Sequence, residues 1–131
     1  MIRVAKRKDY ERCLELLSQY SYGGVENWGQ TFVCEVKGQV IGFVSCRLYD
    51  EYLPLGLTRK VGRLEPIVIE PGNSYALYRL IERAYFYFQD LGAAVVEGLV
   101  RADNKSLLKY LKEEFGAVEA TPESILVRKD I

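Results

Sequence analysis

A chain of 131 residues with 49% hydrophobic and 27% charged side chains has the size and composition of one folded domain, 1–131, with enough apolar content to build a core without staples. Eighteen basic residues balance eighteen acidic ones, which excludes a nucleic-acid binder driven by phosphate neutralisation. The absence of histidine excludes Ser-His-Asp and Cys-His catalysis, disfavours a zinc site, and leaves a carboxylate, a tyrosine, a lysine or water as the available base. With no apolar leader and no run of about 18 apolar residues, the expectation is a cytoplasmic protein without a membrane span. Three scattered cysteines, Cys13, Cys34 and Cys46, read as reduced, buried thiols.

The chain opens with a short strand over 2–5 and a helix over 8–20. In that helix Tyr10, Cys13, Leu14 and Leu17 recur at three and four residues and form the expected apolar stripe. Residues 21–30 hold three glycines and Trp28 without periodicity; Trp28 is either a core plug or part of a site wall. Strands over 31–36 and 39–49 meet at Lys37-Gly38, a hairpin turn in which glycine supplies positive φ. Residues 50–60, with Pro54 and Gly56, read as a loop.

A fourth strand runs over 61–69. Pro66 interrupts it, and a residue without an N–H belongs at an edge or a bulge. Pro71-Gly72-Asn73-Ser74 ends the strand and starts a helix over 74–91, capped by Asn73 or Ser74 and stopped by Gly92. Leu77, Leu80, Ile81, Ala84, Phe88 and Leu91 make its stripe, while Tyr75, Tyr78, Tyr85 and Tyr87 on its flanks suggest a homodimer surface. The run over 94–100, apolar apart from Glu97, suits a strand covered on both faces. Arg101-Ala102-Asp103-Asn104 leads into a helix with Leu107, Leu108, Leu111 and Phe115 inward, and a hairpin around Thr121-Pro122-Glu123 closes the chain.

Strand, Val/Ile-x-Pro, small-residue helix start, strand, then an Asn-led helix with a tyrosine and a Phe115-Gly116 end resembles the GNAT N-acyltransferases over nearly the whole chain. The resemblance implies an α/β fold with a mixed, twisted sheet of six to seven strands flanked by three to four helices. It implies acetyl-CoA as co-substrate, a primary amine as acceptor, and no metal. The acyl donor would lie where the fourth strand parts from the fifth, its pantetheine meeting the backbone of Ile67, Val68 and Ile69. Its diphosphate would sit on the turn and helix start at Gly72, Asn73, Ser74, Tyr75 and Ala76, with Asn104 near the pantetheine. Glu65 takes the place of the base and Tyr110 that of the acid for the departing thiolate.

The family's Gln/Arg-x-x-Gly-x-Gly/Ala loop is two or three residues shorter here, and its Gln/Arg and first glycine are absent. Glu65 has a structural alternative in an ion pair with Arg63, Tyr110 in helix packing, and Asn104 in capping. Two functions therefore stand: an N-acetyltransferase acting on an amine of a small molecule or protein, and a GNAT-fold binding or assembly module without coenzyme A.

Overall fold

The structure is a computed structural model that describes residues 1–20, 28–100, 105–114, 116, 118–119 and 125–131. Among these residues it holds seven strands and three α-helices: β1 (Ile2–Val4), α1 (Tyr10–Tyr20), β2 (Gln30–Val36), β3 (Gln39–Tyr52), β4 (Thr58–Ile69), α2 (Ser74–Asp90), β5 (Val95–Val100), α3 (Lys105–Glu114), β6 (Val118–Glu119) and β7 (Ile125–Asp130). This is the mixed α/β architecture expected. The chain divides into two compact units, Met1–Arg47 with Glu65–Tyr87, and Leu48–Leu64 with Phe88–Ile131.

In the first unit the strand order is β1-β2-β3-β4, with β1–β2 and β2–β3 antiparallel. The β2–β3 hairpin turns through Lys37 (φ 51°) and Gly38 (φ 77°), the left-handed pair that matches the twist of the flanking strands. Phe32, Val33 and Cys34 are all buried, because β2 is covered on both faces. On one face Val33 and Phe43 pack with Cys13, Leu16 and Leu17 of α1. On the other, Phe32 meets the Tyr87 ring edge-on and carries the Arg83 guanidinium 4.6 Å from its centroid. Trp28 packs against the α1-side core and stacks on Phe43 at 5.5 Å, as the plug reading expected. Cys13, Cys34 and Cys46 are free and buried.

Four expectations need correction. The α1 stripe is Cys13, Leu16 and Leu17; Leu14 and Tyr10 are exposed. The helix begins at Tyr10 after a 3-10 turn over Arg7–Asp9, not at residue 8. The predicted loop over 50–60 is mostly strand: β3 runs on to Tyr52 and β4 starts at Thr58, with a 3-10 turn at Pro54–Gly56. Arg59 donates to Glu51 at 2.7 and 2.9 Å, a cross-strand ion pair that keeps the polar end of the hairpin in register. In α2, Leu91 lies beyond the helix and is exposed, and Gly92 (φ 78°) ends it.

The start of α1 rests on a buried ion pair. Arg3 donates to both Asp9 oxygens at 2.7 and 3.0 Å, and the Lys6 amide donates to Asp9 at 2.7 Å. The Arg3 bond, before the amide, holds the Asp9 carboxyl down at about 2. A depressed folded-state value means the stabilisation is complete above the ordinary carboxylate value near 4 and is lost as pH falls from about 4 to about 2. The urea midpoint of the wild type should exceed that of Asp9→Asn by the equivalent of about 2 kcal/mol at pH 6, the gap closing by pH 2. A gap that stays constant with pH would remove the carboxylate from this account.

In the second unit the order is β3-β4-β5-β7-β6, with β4–β5 parallel and β5–β7 and β6–β7 antiparallel. A Cβ on Gly62 would fall 2.5 Å from the Phe88 ring, so the backbone of β4 must be bare for that ring to seat. Leu107 and Leu108 of α3 are buried as expected, while Leu111 is only half-buried. Phe115, Asn104 and the turn around Thr121-Pro122-Glu123 lie outside the described residues.

Candidate active site

The second half of β4 carries most of the residues that the sequence singles out. Within the second unit its parallel ladder with β5 runs from Val61↔Val95 to Leu64↔Gly98, and the strand continues to Ile69 in the first unit. The other edge stays bonded to β3. The Glu70 amide donates to the Ile41 carbonyl at 2.9 Å, and a Cβ on Gly42 would meet the Val68 carbonyl at 2.8 Å. A strand presents its backbone groups alternately to its two neighbours. With Val68 and Glu70 turned to β3, the N–H and C=O of Ile67 and Ile69 fall on the opposite edge. Pro66 shares the parity of Val68, so the bond its missing N–H forfeits is one toward β3. The Val68 side chain is buried in the α1-side core.

The turn after β4 is short. Gly72 adopts φ 84°, which a side chain would strain, and Asn73 donates through Nδ2 to the carbonyls of Glu70 (3.1 Å) and Pro71 (3.3 Å). Asn73 thus ties the turn backward with its side chain, while its carbonyl accepts from the Leu77 amide at 3.1 Å and opens α2. Ser74, Tyr75 and Ala76 form the first turn of α2, whose amides carry the positive end of the helix dipole. Tyr75 is exposed, and Arg79 donates to its hydroxyl at 3.1 Å, placing one cation a turn into the helix. The opposing charge is Glu70, whose carboxylate is held by Arg12 from α1; Arg12 also donates to the Val40 carbonyl at 3.0 Å. Sequence reading missed both Glu70 and Arg12, because the partners are 58 residues apart.

Glu65, the candidate base, is half-exposed and pairs with Arg47 of β3 at 3.4 Å. The Nε of Arg47 is buried without a partner. Arg63, the partner the sequence suggested for Glu65, donates to Glu97 at 2.9 Å. Tyr110 is half-buried on α3, in the second unit. The continuous stretch 65–76 of the first unit brings Glu65, Ile67, Val68, Ile69, Gly72, Asn73, Ser74, Tyr75 and Ala76 together; Tyr110 belongs to the other unit.

Glu97 is the main site residue that sequence reading passed over. It is buried in β5 and accepts from Arg63, from Arg128 at 3.1 Å and from the Tyr49 hydroxyl. Arg128 also reaches Glu51, and burial, followed by the Glu97 carboxylate, pushes the Tyr49 phenol up. The available signal was a lone acid in an otherwise apolar strand, with arginines at matching parity on its neighbours.

No family model and no curated protein matches the chain. Solved structures do. The ribosomal-protein-S18-alanine N-acetyltransferase of Escherichia coli superposes at TM-score 0.73 and 16% identity, covering 100% of this chain and 93% of that one. The NatC complex bound to Gag peptide and CoA contains a chain that matches at TM-score 0.72 and 14% identity, covering 100% and 98%. Eis1 from Mycobacterium abscessus matches at TM-score 0.72 and 21% identity over 92% of this chain, which spans only 31% of Eis1. No helix among the described residues is long and apolar enough to cross a membrane. Element order and these superpositions agree: the chain has the fold of the GNAT N-acetyltransferases.

Proposed function

We propose that the protein is an N-acyltransferase that moves an acetyl group from acetyl-CoA to a primary amine. The observation that carries this reading is that β4 runs on to Ile69 with the backbone groups of Ile67 and Ile69 turned to the edge away from β3, directly before the short turn at Gly72. Backbone groups of Ile67 and Ile69 on that edge would pair with the pantetheine and polarise the thioester carbonyl. The amides at Gly72–Ala76 would receive the diphosphate, with Asn104 beside the pantetheine. The amine attacks the carbonyl carbon, the C–N bond forms and the C–S bond breaks. The amine proton passes to Glu65, directly or through one water, and Tyr110 protonates the departing thiolate. The acceptor class is open between a small molecule and a protein amine; of the structures alike in fold, one is an N-acetyltransferase of a ribosomal-protein alanine and one is bound to a peptide and CoA.

One observation favours the second reading, a module without coenzyme A. An acid, Glu70, stands two residues before Gly72 at the start of the segment that would hold a diphosphate, with Arg12 as its counter-charge. Thermal melting separates the two. Acetyl-CoA at about 100 times its dissociation constant should stabilise the folded chain by about 2.7 kcal/mol and raise Tm by about 5–10 °C. An unmoved Tm at millimolar acetyl-CoA would establish the second reading.

A further inference from the structure

A groove of about 1030 Å³ opens on the first unit, and shares no lining residue with the β4 turn. Lys6, Arg7 and Lys8 line it together with Tyr10, Glu11 and Trp28. All three cations are exposed, and among the described residues none has an acid within ion-pair distance. The acid closest in sequence, Asp9, is taken up by Arg3. Glu11 offsets one charge, so the described residues of the wall carry two net positive charges in a chain whose total is zero. The aromatic side is rigid: Trp28 is stacked on Phe43 and meets Tyr10 edge-on at 5.4 Å. The wall also includes Ala5, which directly follows β1; β1 ends the sheet order and pairs only with β2 among the described residues.

We propose that this groove binds an acidic peptide segment of a partner protein, a function separate from acyl transfer and independent of it. An extended chain can add to the outer edge of β1, where the Val4 carbonyl accepts from the Arg3 side chain at 3.3 Å and the N–H groups of Ile2 and Val4 face away from β2. Its carboxylates meet Lys6, Arg7 and Lys8, and an apolar side chain rests on the Tyr10–Trp28 pair. The open shape and the size of the groove, at the upper end of small-molecule pockets, favour a peptide over a metabolite. Two of the three cations are lysines, point charges suited to separate carboxylates, where one phosphate group would favour the forked guanidinium.

Trp28 is the only tryptophan in the chain, so its fluorescence reports on the groove directly. Titrating the intact protein with a capped, glutamate-rich peptide carrying two leucines should give a saturable change in Trp28 emission. The same peptide with lysine in place of glutamate should give none. Charge reversal at Lys6→Glu, Arg7→Glu and Lys8→Glu together should weaken binding at least about tenfold, and added salt should weaken the wild type several-fold. The neutral set Lys6→Gln, Arg7→Gln and Lys8→Gln should fall between. If the reversal variant melts below the wild type, Lys8→Glu alone is compared, with a loss of about threefold expected. No emission change, an equal response to the lysine peptide, or unaltered affinity in the charge variants would overturn the proposal. Saturation by inorganic triphosphate at lower concentration than the peptide would also overturn it, and would assign the groove to phosphate.

Discussion

Glu97→Ala should cost the protein about 3–5 kcal/mol of stability, the largest loss expected of any single charge in the chain. The carboxylate is fully buried in β5, and its oxygens serve Arg63, Arg128 and the Tyr49 hydroxyl. Truncation leaves the guanidinium groups of Arg63 and Arg128, each about three-quarters buried, facing a void where the carboxylate stood. The cost is therefore desolvation left uncompensated rather than the sum of three bonds. Arg128 would keep Glu51, so the damage concentrates on Arg63 and on the centre of the β4–β5–β7 ladder. Glu97→Gln retains the shape and part of the hydrogen bonding, and should fall between the wild type and alanine. Urea unfolding followed by circular dichroism would measure both. An alanine variant within about 1 kcal/mol of the wild type would mean that water, not protein, satisfies these arginines.

The second large effect concerns rate. Glu65→Gln should lower kcat by about 10²–10⁴-fold, the range spanned by a positioned base, while the acetyl-CoA shift in Tm stays at its wild-type value. Release of free thiol from acetyl-CoA across a panel of primary amines supplies the assay. Glutamine keeps the length and a hydrogen bond to Arg47 but cannot take a proton. Stability should barely change, because an ion pair with both partners more than a third exposed contributes little. An undiminished rate would reduce Glu65 to the partner of Arg47 and direct the search for the base elsewhere.

Much of the architecture was legible because its signals are local. The Lys37-Gly38 turn, the Gly92 stop and the apolar run into Glu97 each announce an element within a few residues. The stripe of α1 was not, since Leu14, Leu16 and Leu17 offer two faces at helical spacing and only the sheet beneath decides between them. The length of the β3–β4 hairpin escaped for a related reason. Pro54 and Gly56 mark a turn, but the strands on either side are held by pairs such as Arg59 with Glu51, whose polar side chains read as loop.

The candidate site divides the same way. The stretch from Glu65 to Ala76 is continuous in sequence, so the resemblance could point at it. Arg12 with Glu70, Arg47 with Glu65, and Arg63 and Arg128 with Glu97 link residues 18 to 58 positions apart. Spacing along a chain carries no information about which charges the sheet will bring side by side.

The three sulfurs buried in the first unit have one more consequence. Burial pushes the Cys13 thiol to about 11 and the Cys46 thiol to about 12. Near neutral pH almost no thiolate of Cys13 or Cys46 exists to attack an alkylating reagent, and the packing around α1, β2 and β3 denies the reagent access to all three sulfurs. Each labelling event therefore records a moment when that packing has opened. The chain carries a built-in clock for breathing of its N-terminal half, readable by mass alone and without an engineered label.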